Sequence, residues 1–331
     1  MKAVLATPGL IDTTLPEPSP GPGDLLVRIE AVAVNPIDVK VRAGLGAGDA
    51  PRQLGWDGAG VVAAVGEDTR RFRPGDGVFF AGAIDRPGCN AEAVLVEEAL
   101  VGRAPAGLSW AEAASVPLTG LAAWEALFER LGLDPHGGDR GTSLLLLGAA
   151  GGVGSLAIQL ARRAGLTVIA TASRPETQAW VRELGADHVV DHRRPLPPQL
   201  AALGLPQVDA IANLSDTDGY WGVMAELIAP QGAIVALVSQ RGPLDLNLLK
   251  DKSVRFCWEF MFTRSRFRTP DRHRQGEILD RLAERLEAGT LRPALRRTLG
   301  PISAANLELA HREVASGRMI GKLALEGWGQ G

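Results

Sequence analysis

Four consecutive leucines, Leu144 to Leu147, run into "GAAGGVG" and then into "SLAIQLARRAG", where Val153, Ala157, Leu160 and Ala164 share one helical face. A continuous apolar run is what a strand buried on both faces requires, and only a parallel sheet covered by helices offers such a place. The glycines Gly148, Gly151, Gly152 and Gly154 fall at the strand-to-helix turn. Small residues there let the backbone approach a pyrophosphate, and a helix N-terminus directs its N–H groups at the anion. Downstream, "LTVIATAS", "HVVDH", "VDAIANL" and "GAIVALVS" alternate with the helical patterns "PETQAWVRELG" and "YWGVMAELI". A doubly wound α/β sheet of the dinucleotide-binding kind is therefore expected.

The loop departs from G-x-G-x-x-G because Ala149 stands where the first glycine would be, so the cradle is read as Ala149, Ala150, Gly151, Gly152, Val153 and Gly154. The second strand should end beneath the adenosine ribose. An acid at that point binds the 2′-hydroxyl of NAD, whereas an arginine accommodates the 2′-phosphate of NADP. The chain supplies Ala172, Ser173 and Arg174, with no acid before Glu176, which favours NADPH. "SRPE" also reads as a capping box between Ser173 and Glu176.

The first hundred residues have another texture. "LLVRIEAVAV", "GAGVVAAVG", "GDGVFFAG" and "AEAVLVEE" are short β segments separated by "PEPSPGPGD", "RFRPGD" and "DRPGCN", which predicts a compact, bent β domain. The pattern turns helical at "LSWAEAASVPLTGLAAWEALFERLG", opening on a Ser109/Glu112 capping box and broken at Pro117. After the sheet region come an amphipathic helix carrying Ile278, Leu279, Leu282 and Leu286, a helix near Ala304 to Ser316, and the strand "KLALE". At 331 residues two domains are expected, with residues 1–118 and 265–331 forming the β domain and 119–264 the nucleotide-binding domain.

The totals exclude several classes. A net charge of −3 with 22% charged residues gives no general attraction to nucleic acid or anionic membranes, so the partners are expected to be small molecules. The two cysteines, Cys89 and Cys257, lie far apart and have no ligand-spaced neighbours, so neither a disulfide framework nor a structural zinc lobe is expected. With so few cysteines a reducing cytoplasm is the expected home, and a soluble protein is expected because no apolar run approaches the roughly 20 residues that span a bilayer. Tyr220 is the sole tyrosine and Met224 stands four residues on, which removes a Y-x-x-x-K acid/base pair. From Arg255 to Arg297 eleven arginines face six acids, and Phe256, Trp258, Phe260 and Phe262 alternate within this stretch. That pattern suits a solvated edge strand at a homodimer seam better than a nucleic-acid surface.

With these segments in order, "AVAVNPIDVKVRAG", "LGWDGAGVVAAVG", "RFRPGDGVFF", "AEAASVPLTGLAAWEAL", "GAAGGVG" and "GKLALE", the chain resembles the medium-chain dehydrogenase/reductase superfamily. Within it the resemblance is to zinc-free quinone oxidoreductases related to zeta-crystallin, and it spans essentially the whole length. It implies a GroES-like bent β-barrel joined to a Rossmann domain. Zinc alcohol dehydrogenases of the superfamily have a Cys in a GxCxxD segment, a His in a GHE segment and a further Cys. Here Asn35 and Trp56 stand at the first two of these positions and Thr119 lies near the third, and Asn, Trp and Thr cannot form an ordinary zinc site.

The resemblance further implies hydride transfer from NADPH to a quinone or an α,β-unsaturated carbonyl. Asn35 and Lys40 are then the candidates to stabilise charge on the substrate oxygen, with Asp38 orienting Lys40 or a turn. Thr119, Val238 and Ser239 are expected at the nicotinamide end, His192 near the adenosine phosphate, and Trp56 and Trp258 around the substrate. His188 and His192 lack a third ligand and do not read as a metal pair. An enoyl-thioester reductase, or a nucleotide-binding structural or regulatory protein with weakened chemistry, stands as the alternative.

Overall fold

The computed structural model describes residues 1–329. The chain divides into two compact units, Met1–Leu121 together with the segment from Met261 onward, and Ala122–Phe260. The first crossing falls inside the helix Pro117–Trp124, and the second follows two residues after the strand Arg255–Trp258.

In the first unit, the strand Asp24–Ala33 is the spine of a seven-stranded sheet. Gly58–Val65 and Ala93–Glu97 pair with it antiparallel, and Gly58–Val65 continues into Gly77–Phe80 and then Val101–Arg103. The C-terminal segment returns to this sheet. Lys322–Glu326 lies antiparallel on the spine, with Ala324 opposite Ala33, and Leu295–Leu299 runs parallel outside it. A smaller sheet of Leu10–Thr14, Lys2–Ala6 and Arg52–Gln53 completes the unit. Leu25, Val27, Ile29, Val78, Phe80, Val94 and Leu323 meet in its core, contributed by alternate positions of the strands.

The second unit is a six-stranded sheet in the order His188–Val190, Thr167–Thr171, Ser143–Leu147, Val208–Asn213, Ile228–Ala236 and Arg255–Trp258. Every adjacent pair is parallel. Counted along the chain this is 3-2-1-4-5-6, the doubly wound arrangement whose ligands sit at the carboxyl ends of the strands. All five residues of Ser143–Leu147 are buried, as their apolar run requires.

Helix signals behave locally. The Ser109/Glu112 capping box forms: the Glu112 N–H donates to Ser109 Oγ at 3.2 Å, and the Ser109 N–H to the Glu112 carboxylate at 2.9 Å. Pro117 does divide the segment, into Trp110–Ala114 and Pro117–Trp124. The helix then widens over Glu125–Arg130, where the Leu131 N–H reaches back five residues to the Ala126 carbonyl.

Two expectations are corrected. The Ser173/Glu176 box is displaced by one residue: the helix Pro175–Glu183 has Arg174 at its N-cap, and Thr177 Oγ1 accepts the Arg174 N–H at 3.1 Å. Pro175 explains the displacement, because its fixed φ and missing N–H suit the first helical position. The aromatic alternation also stops short of its expected length. The strand ends at Trp258, the chain leaves the sheet, and Phe262 is buried edge-on against Trp56, their ring centroids 6.2 Å apart.

Candidate functional site

The nucleotide cradle lies in the second unit. Gly148 has φ +81°, so the chain turns where a side chain would be strained. At Gly154 an added Cβ would fall 2.3 Å from the Ala149 carbonyl oxygen, so only glycine allows the helix to pack so closely on the strand. Gly151 differs, because a Cβ there would meet nothing nearer than the Gly148 carbonyl at 3.7 Å. Protein packing does not demand glycine at that point, whereas an approaching phosphate would.

The helix Gly152–Arg163 begins at Gly151 with no side-chain cap and no acid in its first turn. Its first backbone bond runs from the Ser155 N–H to the Gly151 carbonyl at 2.8 Å. The N–H groups of Gly152, Val153 and Gly154 therefore project past the helix end, and the helix dipole favours an anion there. Ala149 is buried beneath them, with Ala150 half-buried at the rim. A pyridine nucleotide's pyrophosphate fits this donor set.

At the end of the strand Thr167–Thr171 the structure adds a residue that sequence reasoning missed. Arg193 donates to the Ser173 carbonyl and pairs with Asp191 at 3.2 Å, while Arg174 pairs with Glu176 at 3.2 Å. His192 belongs to the same cluster. Burial holds its imidazole below the ordinary range, Asp191 opposes the shift, and Arg193 and Arg174 reinforce it. Ser173, Arg174, His192 and Arg193 thus gather at the strand end. Val238 and Ser239 follow Ile228–Ala236 in the same unit, where the Val238 carbonyl accepts the Thr217 hydroxyl at 2.5 Å and Ser239 is exposed. Trp258 is 42% exposed on the edge strand, with Phe256 edge-on at 5.1 Å.

The other candidates lie in the first unit, around "NPID". Asn35 is the N-cap of the helix Pro36–Ala43, Pro36 occupies the first turn, and Asp38 Oδ2 accepts the Asn35 N–H at 2.7 Å. Asp38 Oδ1 accepts the Gly55 N–H at 3.1 Å, so this residue organises two turns rather than Lys40. Burial lifts its carboxyl to about 7, against the lowering pull of the Asn35 N–H and the Lys322 ammonium.

The Asn35 side chain was expected at the substrate oxygen, yet it is 0% exposed. Its amide nitrogen donates to Asp57 Oδ2 at 2.8 Å, and its oxygen accepts from Lys322 Nζ at 2.6 Å. The buried, charged neighbours consume the amide, leaving Asn35 as a tie. Lys322 Nζ also donates to Asp57 Oδ2 at 2.8 Å and to the Val34 carbonyl at 3.1 Å, while the Leu118 N–H donates to Asp57 Oδ1 at 2.7 Å. Burial pushes Asp57 up and Lys322 draws it back. Asp57 accepts three donors, as an ionised carboxylate does.

Asp57 and Lys322 were not anticipated, although "GWDGAG" and "GKLALE" contain them, because nothing local links residues 265 positions apart. Thr119 is buried, and its hydroxyl donates to the Ser115 and Val116 carbonyls of the preceding turn, both at 3.2 Å. Trp56, expected beside the substrate, is buried to 1% exposure, and its indole N–H donates to the Ala83 carbonyl at 3.1 Å. A ring with its polar atom satisfied in the core serves packing. Lys40 alone of the first-unit candidates is exposed, and its ammonium makes no ion pair among the described residues.

Residues 21–125 match the alcohol dehydrogenase GroES-like domain, and residues 184–325 match the zinc-binding dehydrogenase domain. The chain is an oxidoreductase of the medium-chain dehydrogenase/reductase superfamily, with that superfamily's pyridine-nucleotide-binding fold. It is 43% identical over 310 residues to the zinc-type alcohol dehydrogenase-like protein SAS2087 of Staphylococcus aureus (strain MSSA476), covering 93% of this chain and 92% of the relative. A Rhizobium etli CFN 42 structure, provisionally described as a zinc-dependent alcohol dehydrogenase, superposes with TM-score 0.95 at 47% identity, covering 100% of this chain and 99% of that one. The quinone oxidoreductase of Coxiella burnetii superposes with TM-score 0.82 at 28% identity, over 98% and 99% of the two chains.

Zinc in these names is not matched by the donors present. Asn35 offers an amide already bonded to an ammonium and a carboxylate, Trp56 offers no ligand atom, and the Thr119 hydroxyl is turned into its own helix. Among the described residues no three His, Cys, Asp or Glu side chains gather in a metal-holding group. No described helix is long and apolar enough to cross a membrane.

Proposed function

We propose that this chain is an NADPH-dependent, zinc-independent reductase of quinones or α,β-unsaturated carbonyls. The observation that carries the cofactor reading is the cluster of Ser173, Arg174, His192 and Arg193 at the end of the second parallel strand, where the nearby carboxylates Glu176 and Asp191 are each paired with an arginine. The uncapped N–H groups of Gly152, Val153 and Gly154 receive the pyrophosphate. Val238 and Ser239 complete the cofactor contacts of this unit in this reading, whereas Thr119, its hydroxyl spent within its own helix, does not serve as one.

Bound NADPH supplies the hydride. Reduction of an enone or a quinone places negative charge on the substrate oxygen, which needs a cation or a proton donor. Lys40 supplies it, being an exposed ammonium on a short helix whose start is pinned through Asn35 and Asp38. Trp258 gives the substrate an aromatic face. The likeness to a quinone oxidoreductase at 28% identity supports the substrate class. Arg255–Trp258 is the edge of its sheet, and pairing of this edge between two copies would make the protein a homodimer.

The test is a panel of quinones, enals and enoyl thioesters followed by NADPH oxidation, with NADH alongside and zinc measured on the same sample. Turnover of free quinones or enals with NADPH preferred and zinc far below stoichiometric is expected. Preference for NADH, activity confined to thioesters, or activity that follows bound zinc overturns the corresponding part.

A further inference from the structure

We infer that Lys322 and Asp57 are positioning residues of the reductase site, a buried ion pair that cross-links the segments which a metal ion would otherwise join. The positioning role rests on the reductase reading above; the cross-link itself does not.

An ammonium has three N–H donors and no acceptor. Lys322 uses all three, on the Val34 carbonyl at 3.1 Å, Asn35 Oδ1 at 2.6 Å and Asp57 Oδ2 at 2.8 Å. It is 2% exposed, and Asp57 is 0% exposed. A charge so removed from water persists only when it is paired and its remaining hydrogen-bonding capacity is filled. The pair therefore fixes the positions of the groups that satisfy it.

Four stretches distant in sequence meet on these two side chains. Val34 and Asn35 begin the helix that carries Lys40, and Trp56-Asp57 forms the turn before the strand Gly58–Val65. The Leu118 N–H, donating to Asp57 Oδ1 at 2.7 Å, belongs to the first turn of Pro117–Trp124, directly before Thr119. Lys322 opens the last strand. Positions 35 and 56 are those whose counterparts hold zinc in the metal-dependent pattern, with Thr119 near the third, and here none of the three offers a ligand. A bidentate carboxylate and a trivalent donor join the same stretches by hydrogen bonds.

Both amide atoms of Asn35 are engaged, so the start of the Lys40 helix cannot rotate without breaking the pair. Loss of Lys322 leaves Asp57 buried and unpaired; loss of both charges leaves neither. Stability and catalysis respond differently to these two situations, and that difference separates a cross-link from ordinary packing.

The experiment compares full-length Lys322→Met, Lys322→Arg, Asp57→Asn and the Lys322→Met/Asp57→Asn double variant by thermal unfolding and by kinetics on the best substrate. Each neutralising single variant is expected to lower the midpoint by roughly 10 °C, and the double variant to melt no lower than the weaker single. In both singles kcat should fall at least about tenfold while the KM for NADPH stays within about twofold, because the glycine cradle folds in the other unit. Lys322→Arg, which keeps the charge, should retain more kcat than Lys322→Met.

Additive losses in the double variant overturn the cross-link. A folded Lys322→Met protein with undiminished kcat overturns the positioning role. Should the neutralising singles not fold, the double variant and Lys322→Arg decide: a double variant that also fails to fold refutes the cross-link. If the unaltered protein reduces no member of the panel, the reductase reading and the positioning role fall together, while the melting cycle still decides the cross-link.

Discussion

Arg174→Ala tests the cofactor reading most directly. A charge-assisted hydrogen bond from guanidinium to phosphate is worth about 1.5–3 kcal/mol. The Arg174 side chain is 34% exposed, so solvent screens it and the lower end applies. Arg174 must also exchange its contact with Glu176 at 3.2 Å, an exposed pair worth at most about 1 kcal/mol. The net loss on removal is about 0.5–1.5 kcal/mol, a roughly two- to tenfold weakening for NADPH. NADH has no 2′-phosphate and should be affected less than about twofold. Arg193, 62% exposed and paired with Asp191, should contribute less than Arg174 on the same reasoning. The assay is kcat/KM for NADPH and for NADH with one saturating acceptor. The ratio of the two should fall by roughly two- to tenfold in Arg174→Ala, and an unchanged ratio would refute the assignment of the cluster to the 2′-phosphate.

Lys40→Ala should reduce kcat by roughly ten- to a hundredfold and leave the melting temperature within about 1 °C, since the side chain is exposed; steady-state kinetics beside a thermal melt check both, and an unchanged kcat removes Lys40 from catalysis. Gly154→Ala introduces a Cβ 2.3 Å from the Ala149 carbonyl oxygen, so the helix must retreat by about 1 Å to restore ordinary contact, at a cost of about 1–3 kcal/mol. Denaturant unfolding should register that loss and the KM for NADPH should rise; wild-type values for both would mean that the loop yields without moving the helix. Asp38, raised by burial to about 7, keeps a proton in the folded protein over a pH range where the unfolded chain has released it. Its stabilising contribution is complete below about pH 4 and is lost as the pH rises toward about 7. Asp38→Asn should therefore flatten the decline of stability between about pH 5 and pH 7, by up to about 1.4 kcal/mol per pH unit, in unfolding curves collected across that range; an identical slope would show that Asp38 does not titrate there.

The parts of the molecule legible in the sequence are those specified by neighbours along the chain. The leucine run, the glycine turn and the amphipathic helix after it each have one physical solution, and their succession yields the parallel sheet whose first three strands are Ser143–Leu147, Thr167–Thr171 and His188–Val190. The Ser109/Glu112 cap and the break at Pro117 are equally local. Where two local rules competed, the stronger constraint prevailed: Pro175 at the first helical position moved the cap from Ser173 to Arg174.

What the chain alone did not disclose depends on burial and on charges brought together from distant positions. Asn35 reads as a catalytic amide in "NPID", and only the arrival of Lys322 from the last strand and Asp57 from another turn turns it inward. Trp56 reads as a substrate contact until Phe262 and the Ala83 carbonyl enclose it. Arg193 gains its place only because the third strand lies parallel beside the second, bringing its guanidinium to the Ser173 carbonyl. The sequence by itself determined the two kinds of domain, the glycine turn and the side chains that stand at positions 35 and 56, because periodicity, turn chemistry and ligand atoms belong to the residues themselves. The tertiary structure decided which polar side chains remain free to act, since desolvation and ion pairing depend on which residues, however distant, close around a group.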